Sequence, residues 1–408
     1  MRGIEVKRKM GLTPLQAVVV TQFMSAFADN LNFFLIVGMV KRQGVANPDG
    51  MVTYIQMAVL LAYVVLAPLV GAFADKNAKA HVLLYGNALK AAGITLLLFG
   101  VSPVICFFLV GIGAVVYSPG KYGILSELTS NERELLRANA QVEGSTIFAI
   151  LAGTVAGGLL ASRSDLPAIL VCLLVYLISL SMTFLIPARA GHADIRYGSA
   201  ARSFFADLKT LFRNSRARFS LIGTGSFWLT AAVLRIALIA WLPVNLGITD
   251  TDQQSLIIGI TALGVVASAV ITPKLVPEGN LHRGYYYGIA MVATVMIASF
   301  THMLWLTVSL LFLVGVFGGI FLIPLNTMLQ EEGKRSVGPG KTIAVQNFVE
   351  NSLTVAGLSI YLALTEMKVP INWSVVGIGI VLFLFIAFLA TQIGQIRRAA
   401  AESIREAE

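Results

Sequence analysis

Charge is what this chain has least of. Asp, Glu, Lys and Arg make up 12% of its 408 residues, while 57% are apolar and the mean hydropathy is +0.80. Soluble globular domains carry roughly 25% charged residues. A soluble fold of this length has no interior large enough to hide the excess, so lipid must be the solvent for most of the chain. Cysteine is nearly absent. Cys106 and Cys172 both fall in apolar stretches without metal or redox spacing, which reads as inert packing. The histidines, His81, His192, His282 and His302, include no pair at metal-ligand spacing and no His-x4-Asp pattern of acyl transfer. No Gly-x-Ser-x-Gly nucleophile turn is present. Gly-Pro-Gly-Lys-Thr at 338–342 looks like the end of a phosphate-binding loop, but Arg335 stands where the earlier glycine is required and no buried strand precedes it. No metal or cofactor is expected, and an enzyme would have no residues to rest on.

What is present is a succession of apolar stretches, at 13–40, 52–74, 81–101, 103–121, 139–161, 167–187, 219–246, 254–275, 285–303, 305–329, 341–365 and 371–395. Each can cross a ~30 Å hydrocarbon layer at ~1.5 Å per residue. The expected fold is therefore all-α and membrane-integral, with about twelve transmembrane helices. The first stretch is too long for a signal-peptide core and reads as a retained helix. An even number of spans puts both termini on one side. That side collects 24 of the 30 Lys and Arg residues; the other has four, Lys41, Arg42, Arg163 and Lys368. This bias predicts cytoplasmic termini, and it accounts for the +9 formal charge without nucleic acid.

The longest cytoplasmic stretch, 188–218, holds seven basic residues. Phe204, Phe205, Leu208, Leu211 and Phe212 can share one helical face, as expected of an amphipathic helix on the inner leaflet. The segments flanking it repeat. Pro68 matches Pro273, Pro119 matches Pro324, and Glu143 in QVEGST matches Glu350 in FVENSL, at offsets of 205, 205 and 207. Three ordered matches argue for duplication into a half at 1–187, a linker at 188–218 and a half at 219–408. Gly153-x-x-x-Gly157 and Gly315-x-x-x-Gly319 predict close helix packing.

GAFADKNAKAH at 71–81 links the second and third stretches. It resembles the loop signature of the major facilitator superfamily at Gly71, Asp75 and Lys76, with Ala78 in place of the second glycine and Lys79 one place early. QFMSAFADN (22–30), YSPGKYGILSELT (117–129), LRANAQVEGSTIFAILAGTVAGG (136–158), RFSLIGTGSFW (218–228), LPVNLGITD (242–250) and IPLNTMLQEEGKRSVGPGKTIAVQNFVENS (323–352) are similar to the bacterial lysophospholipid transporters of that superfamily. The resemblance implies a transporter of the bacterial inner membrane, moving lysophospholipid from outer to inner leaflet; the chain is expected to act as a monomer. It also implies coupling to a cytoplasmic-face acyltransferase and acyl-carrier-protein synthetase that restores the second acyl chain.

Ionisable groups inside spans cost roughly 2.5–3.5 kcal/mol on insertion scales and mark either function or a structural pair. Asp29, with Asn30 beside it, and Arg235 lie in the opening helices of the two halves, suited to an ammonium and a phosphate or else to each other. Glu143 and Glu350 could carry a proton or brace neighbouring helices. Lys121 could attract phosphate or snorkel to the interface. Lys90 has no assigned role beyond reaching a carboxylate or the interface. Gly71, Asp75 and Lys76 are expected at a cytoplasmic gate. Two function classes follow: a lysophospholipid translocator, and a proton-coupled exporter of drugs or small metabolites using Glu143 or Glu350.

Overall fold

The computed structural model describes residues 11–42, 48–161, 165–192, 194–249, 251–277 and 279–405. The predicted cytoplasmic termini, with the basic residues Arg2, Lys7, Arg8 and Lys9, lie outside the described residues, as does Arg163. Among the described residues there are helices and no strands: α1 (Pro14–Arg42), α2 (Pro48–Lys76), α3 (Lys79–Leu98), α4 (Pro103–Leu128), α5 (Glu132–Ala161), α6 (Asp165–Thr183), α7 (Ala200–Arg213), α8 (Ser215–Leu246), α9 (Thr251–Leu275), α10 (Tyr285–Ala298), α11 (Leu304–Ser336), α12 (Pro339–Glu366) and α13 (Ile371–Arg405).

Eleven of these are long and apolar enough to cross a membrane. The stretch predicted at 285–303 is α10, fourteen residues long, entered through a 3-10 turn at Leu281–Gly284. Fourteen α-helical residues and four 3-10 residues together reach ~29 Å, about the hydrocarbon thickness. The 188–218 segment contains α7, with Phe204 and Leu211 buried and Phe205 exposed. The predicted apolar face is therefore split between packing and an outward aromatic.

Helix boundaries follow local chemistry. α1, α2, α4 and α12 begin on proline, whose missing N–H costs nothing in the first turn. Thr13 and Gln16 exchange hydrogen bonds across the start of α1 (Thr13 N to Gln16 Oε1, 2.8 Å; Gln16 N to Thr13 Oγ1, 3.2 Å). Asn214 caps α8 by accepting from the N–H groups of Arg216 and Ala217.

Contacts divide the described residues into two compact units. Of the described residues, the first takes those within Met1–Ser130, Ser145–Asp207 and Val337–Asn347, and the second those within Asn131–Gly144, Leu208–Ser336 and Phe348–Glu408. In the first unit α1 packs on α6 and α4, α3 on α4 and α6, and α2 on α4. In the second, α8 packs on α13 and α11, α10 on α11 and α13, and α9 on α11. The same five pairings recur, as duplication requires. Glu143 and Glu350 each lie eleven residues beyond their helix starts, Glu132 and Pro339.

Candidate functional site

Inside the first unit, one face of α1 carries Thr21, Ser25 and Asp29 at four-residue spacing, and one face of α3 carries Asn87 and Lys90. The Lys90 ammonium donates to Asp29 Oδ2 at 2.7 Å and to Ser25 Oγ at 2.9 Å, and lies 4.8 Å from the centre of the Tyr117 ring. The Tyr176 hydroxyl, from α6, donates to Asp29 Oδ1 at 2.7 Å. Ser25 Oγ donates to Asn87 Oδ1, Asn87 Nδ2 to Ser179 Oγ, and Ser179 Oγ to the Thr21 carbonyl, at 2.8–2.9 Å. A chain of polar groups thus ties α1, α3 and α6 together in an otherwise apolar core of Leu31, Leu35, Ile94, Val110 and Ile169. Lys90 is 2% exposed and Asp29 31% exposed, so the carboxylate alone presents an open edge. Each charge compensates the other, because either one alone would face several kcal/mol of desolvation.

Of the two outcomes expected for Lys90, the structure gives the carboxylate. Asn30 turns back to its own helix, donating to the Ala26 carbonyl at 2.8 Å. Lys121 lies half-buried with its ammonium 4.0 Å from the centre of the Tyr122 ring. In the second unit, Glu143 is buried and accepts from Asn326 Nδ2 at 3.3 Å. One turn earlier, Asn139 and Gln330 exchange amide hydrogen bonds at 2.8 and 3.1 Å. Glu350 is buried on α12. Arg235 is exposed on α8 and joins no ion pair among the described residues.

The loop signature is a built anion cradle within the first unit. Asp75 accepts from the backbone N–H groups of Gly340 (2.7 Å) and Lys341 (2.8 Å), at the start of α12, and from the Lys79 ammonium at 2.7 Å. The positive end of a helix dipole and a buried cation hold one carboxylate. A Cβ at Gly340 would lie 2.7 Å from Asp75 Oδ1, and one at Gly71 would lie 2.8 Å from the Ala344 Cβ. Gly338, at φ +103°, adopts a backbone that L side chains rarely take. The phosphate-loop lookalike at 338–342 therefore does bind an anion through its amides, but the anion is Asp75. Lys79, one place early against the signature, supplies the cation. Lys76 instead stands over the Tyr197 ring at 4.6 Å. Nearby, Lys341 pairs with Asp207 at 3.2 Å; burial pushes the Asp207 carboxyl up, and Lys341 draws it the other way.

The second unit has a different cluster. Arg216, in the first turn of α8, reaches Glu332 at 3.2 Å, Glu331 at 3.4 Å and Glu132 at 3.9 Å. Glu332 also accepts from Asn214 at 2.9 Å, and Glu132 from the Gly279 N–H at 2.6 Å. Sequence reasoning counted Arg216 only as a topology charge. It missed Tyr176, Ser25 and Asn87 as well, although the shared spacing of Ser25 with Asp29 and of Asn87 with Lys90 was a visible signal.

A family model described as Major Facilitator Superfamily matches residues 18–358. The lysophospholipid transporter LplT of Salmonella arizonae is 41% identical over 377 residues, covering 91% of this chain and 94% of the relative. That of Cronobacter sakazakii is 41% identical over 361 residues, covering 88% and 90%. Among solved structures, the human organic anion transporter MFSD10 aligns with a TM-score of 0.75 at 16% identity, over 93% of this chain and 100% of that one. At that identity the likeness speaks to the fold alone.

Proposed function

Because the chain belongs to the major facilitator superfamily and, within it, to the family of bacterial lysophospholipid transporters, we propose that it moves lysophospholipids from the outer to the inner leaflet of the bacterial inner membrane by alternating access. It is a multi-pass membrane transporter and not an enzyme. The observation that carries the substrate class is the 41% identity to relatives named for lysophospholipid transport, sustained along nearly all of both chains.

Site roles follow from the chemistry. In the first unit Asp29, with its open edge, meets the headgroup, with Asn30 and Lys121 as further candidates there; in the second unit the candidates are Glu143 and Glu350. Arg235, without an ion-pair partner among the described residues, is the cation for the phosphate. Gly71, Asp75 and Lys76 form a cytoplasmic gate, in which Asp75 holds the start of α12. The halves at 1–187 and 219–408 supply the moving parts, joined by 188–218. The 24-to-4 basic bias supports cytoplasmic termini. Delivered lysolipid then meets a cytoplasmic-face acyltransferase and acyl-carrier-protein synthetase, and the transporter acts as a monomer.

Reconstitution in vesicles with labelled lysophosphatidylethanolamine tests the function. Transfer of the one-chain lipid is expected, with a two-chain phospholipid excluded. Equal movement of both lipids, or proton-driven drug efflux with movement of neither, would point to the exporter reading instead.

A further inference from the structure

We propose that Lys90 sets which headgroups the Asp29 site accepts, by supplying the cation that a headgroup would otherwise have to bring. The inference rests on the reading that a lysolipid headgroup meets Asp29.

The carboxylate is already balanced before any ligand arrives. Lys90 holds Oδ2 and Tyr176 holds Oδ1, both at 2.7 Å. Lys90 cannot readily withdraw. Its ammonium is fixed by Ser25 and the Tyr117 ring, its side chain is 2% exposed, and a Cβ at Gly113 would lie 2.7 Å from its Cγ. The pair is therefore a fixed neutral unit rather than an anion waiting for a cation. The other titratable groups facing it, Tyr117, Tyr176 and Cys172, supply no positive charge.

Headgroups divide by whether they carry their own cation. Lysophosphatidylethanolamine brings an ammonium, and could partner Asp29 if Lys90 were gone. Lysophosphatidylglycerol brings only a phosphate anion, which a bare carboxylate would repel in a low-dielectric site. Lys90 is thus a positioning and specificity-determining residue: it makes Asp29 tolerable to a headgroup without a cation.

The test compares initial transport rates of the two labelled lysolipids in vesicles containing the full chain. With Lys90→Met, the ratio of the ethanolamine to the glycerol lipid should rise about tenfold, the scale of one unbalanced partial-burial charge. Asp29→Asn, which bares the ammonium instead, should move the ratio in the opposite direction. The double variant should return it to within about twofold of wild type, because its missing charges cancel. A purely structural pair would lower both rates by one factor in every variant, and an unchanged ratio in either single variant overturns the inference. Should Lys90→Met fail to reach the membrane, Asp29→Asn alone decides by the same criterion. A wild-type chain that moves neither lysolipid overturns the functional reading and this inference together.

Discussion

In the first unit the packing of α1, α3 and α6 encloses the Asp29–Lys90 ion pair and its hydrogen-bonded chain; in the second, the counterparts α8, α10 and α13 enclose Trp241, Val295, Leu382 and Ile386. The same helix pairings hold a polar network on one side of the duplication and an apolar core on the other. Close approach is also distributed differently. The first unit brings α3 against α4 at glycines, where a Cβ on Gly86 would lie 2.7 Å from the Tyr117 Cβ. The second brings α9 against α11, where a Cβ on Gly315 would lie 1.9 Å from the Thr261 carbonyl oxygen. Even the ties between paired helix ends differ: Arg42 pairs with Asp165 between α1 and α6, while Asn245 and Asn372 exchange amide hydrogen bonds between α8 and α13. Duplication preserved the backbone pairings because they depend on helix length and apolar faces. The side chains inside were free to differ, so the first unit holds a buried ion pair where the second holds an apolar core.

The comparison breaks most sharply at the anion cradle. Asp75→Ala leaves the buried Lys79 ammonium with the Ala74 carbonyl but no counter-charge, and two helix-start N–H groups without their acceptor, and should cost about 3–5 kcal/mol. Thermal unfolding of the purified chain in detergent reads this as a large drop in midpoint, and a drop of only a degree or two would show the cradle to be incidental. Next, Gly315→Ala should cost about 3 kcal/mol against about 1–2 kcal/mol for Gly86→Ala, since a Cβ 1.9 Å from the Thr261 oxygen overlaps far more deeply than one whose nearest atoms, the Tyr117 Cβ and the Gly113 oxygen, lie at 2.7 and 2.9 Å. Equal midpoints for the two variants would remove the asymmetry between the glycine contacts. The smallest effect belongs to Arg216→Ala. It leaves Glu132, Glu331 and Glu332, 11–19% exposed, without their shared cation while water can still reach them, so about 1–2 kcal/mol is expected. A loss as large as that of Asp75→Ala would make the two clusters equivalent after all.

Much of the architecture was legible in sequence because its causes are local. Apolar runs gave the spans, and most helices observed here extend a few residues beyond them, into the polar ends that hydropathy cannot mark. The stretch at 285–303 falls furthest short instead, since Arg283 and Gly284 enter through a 3-10 turn and the helix ends at Ala298. The glycine spacings were also readable, and both pack closely: a Cβ at Gly153 would lie 2.4 Å from the Phe27 carbonyl oxygen, and one at Gly319 would lie 1.8 Å from Ser268 Oγ. The site was read less completely. Asp29 and Lys90 were each visible as a costly charge, but not that they meet.

Sequence by itself determined that this chain lives in lipid, that its helices come in two related sets, and that a few charges inside them must be compensated. Those conclusions need only composition, periodicity and the transfer cost of an ion, each a property of residues near one another along the chain. Tertiary structure decided which charges meet. Lys90 stands 61 residues from Asp29, Tyr176 stands 147 away, and the amides that hold Asp75 come from 265 and 266 residues downstream. An ammonium in a low-dielectric core takes whichever carboxylate the packing brings within about 3 Å, and that distance is set by helices folding against one another.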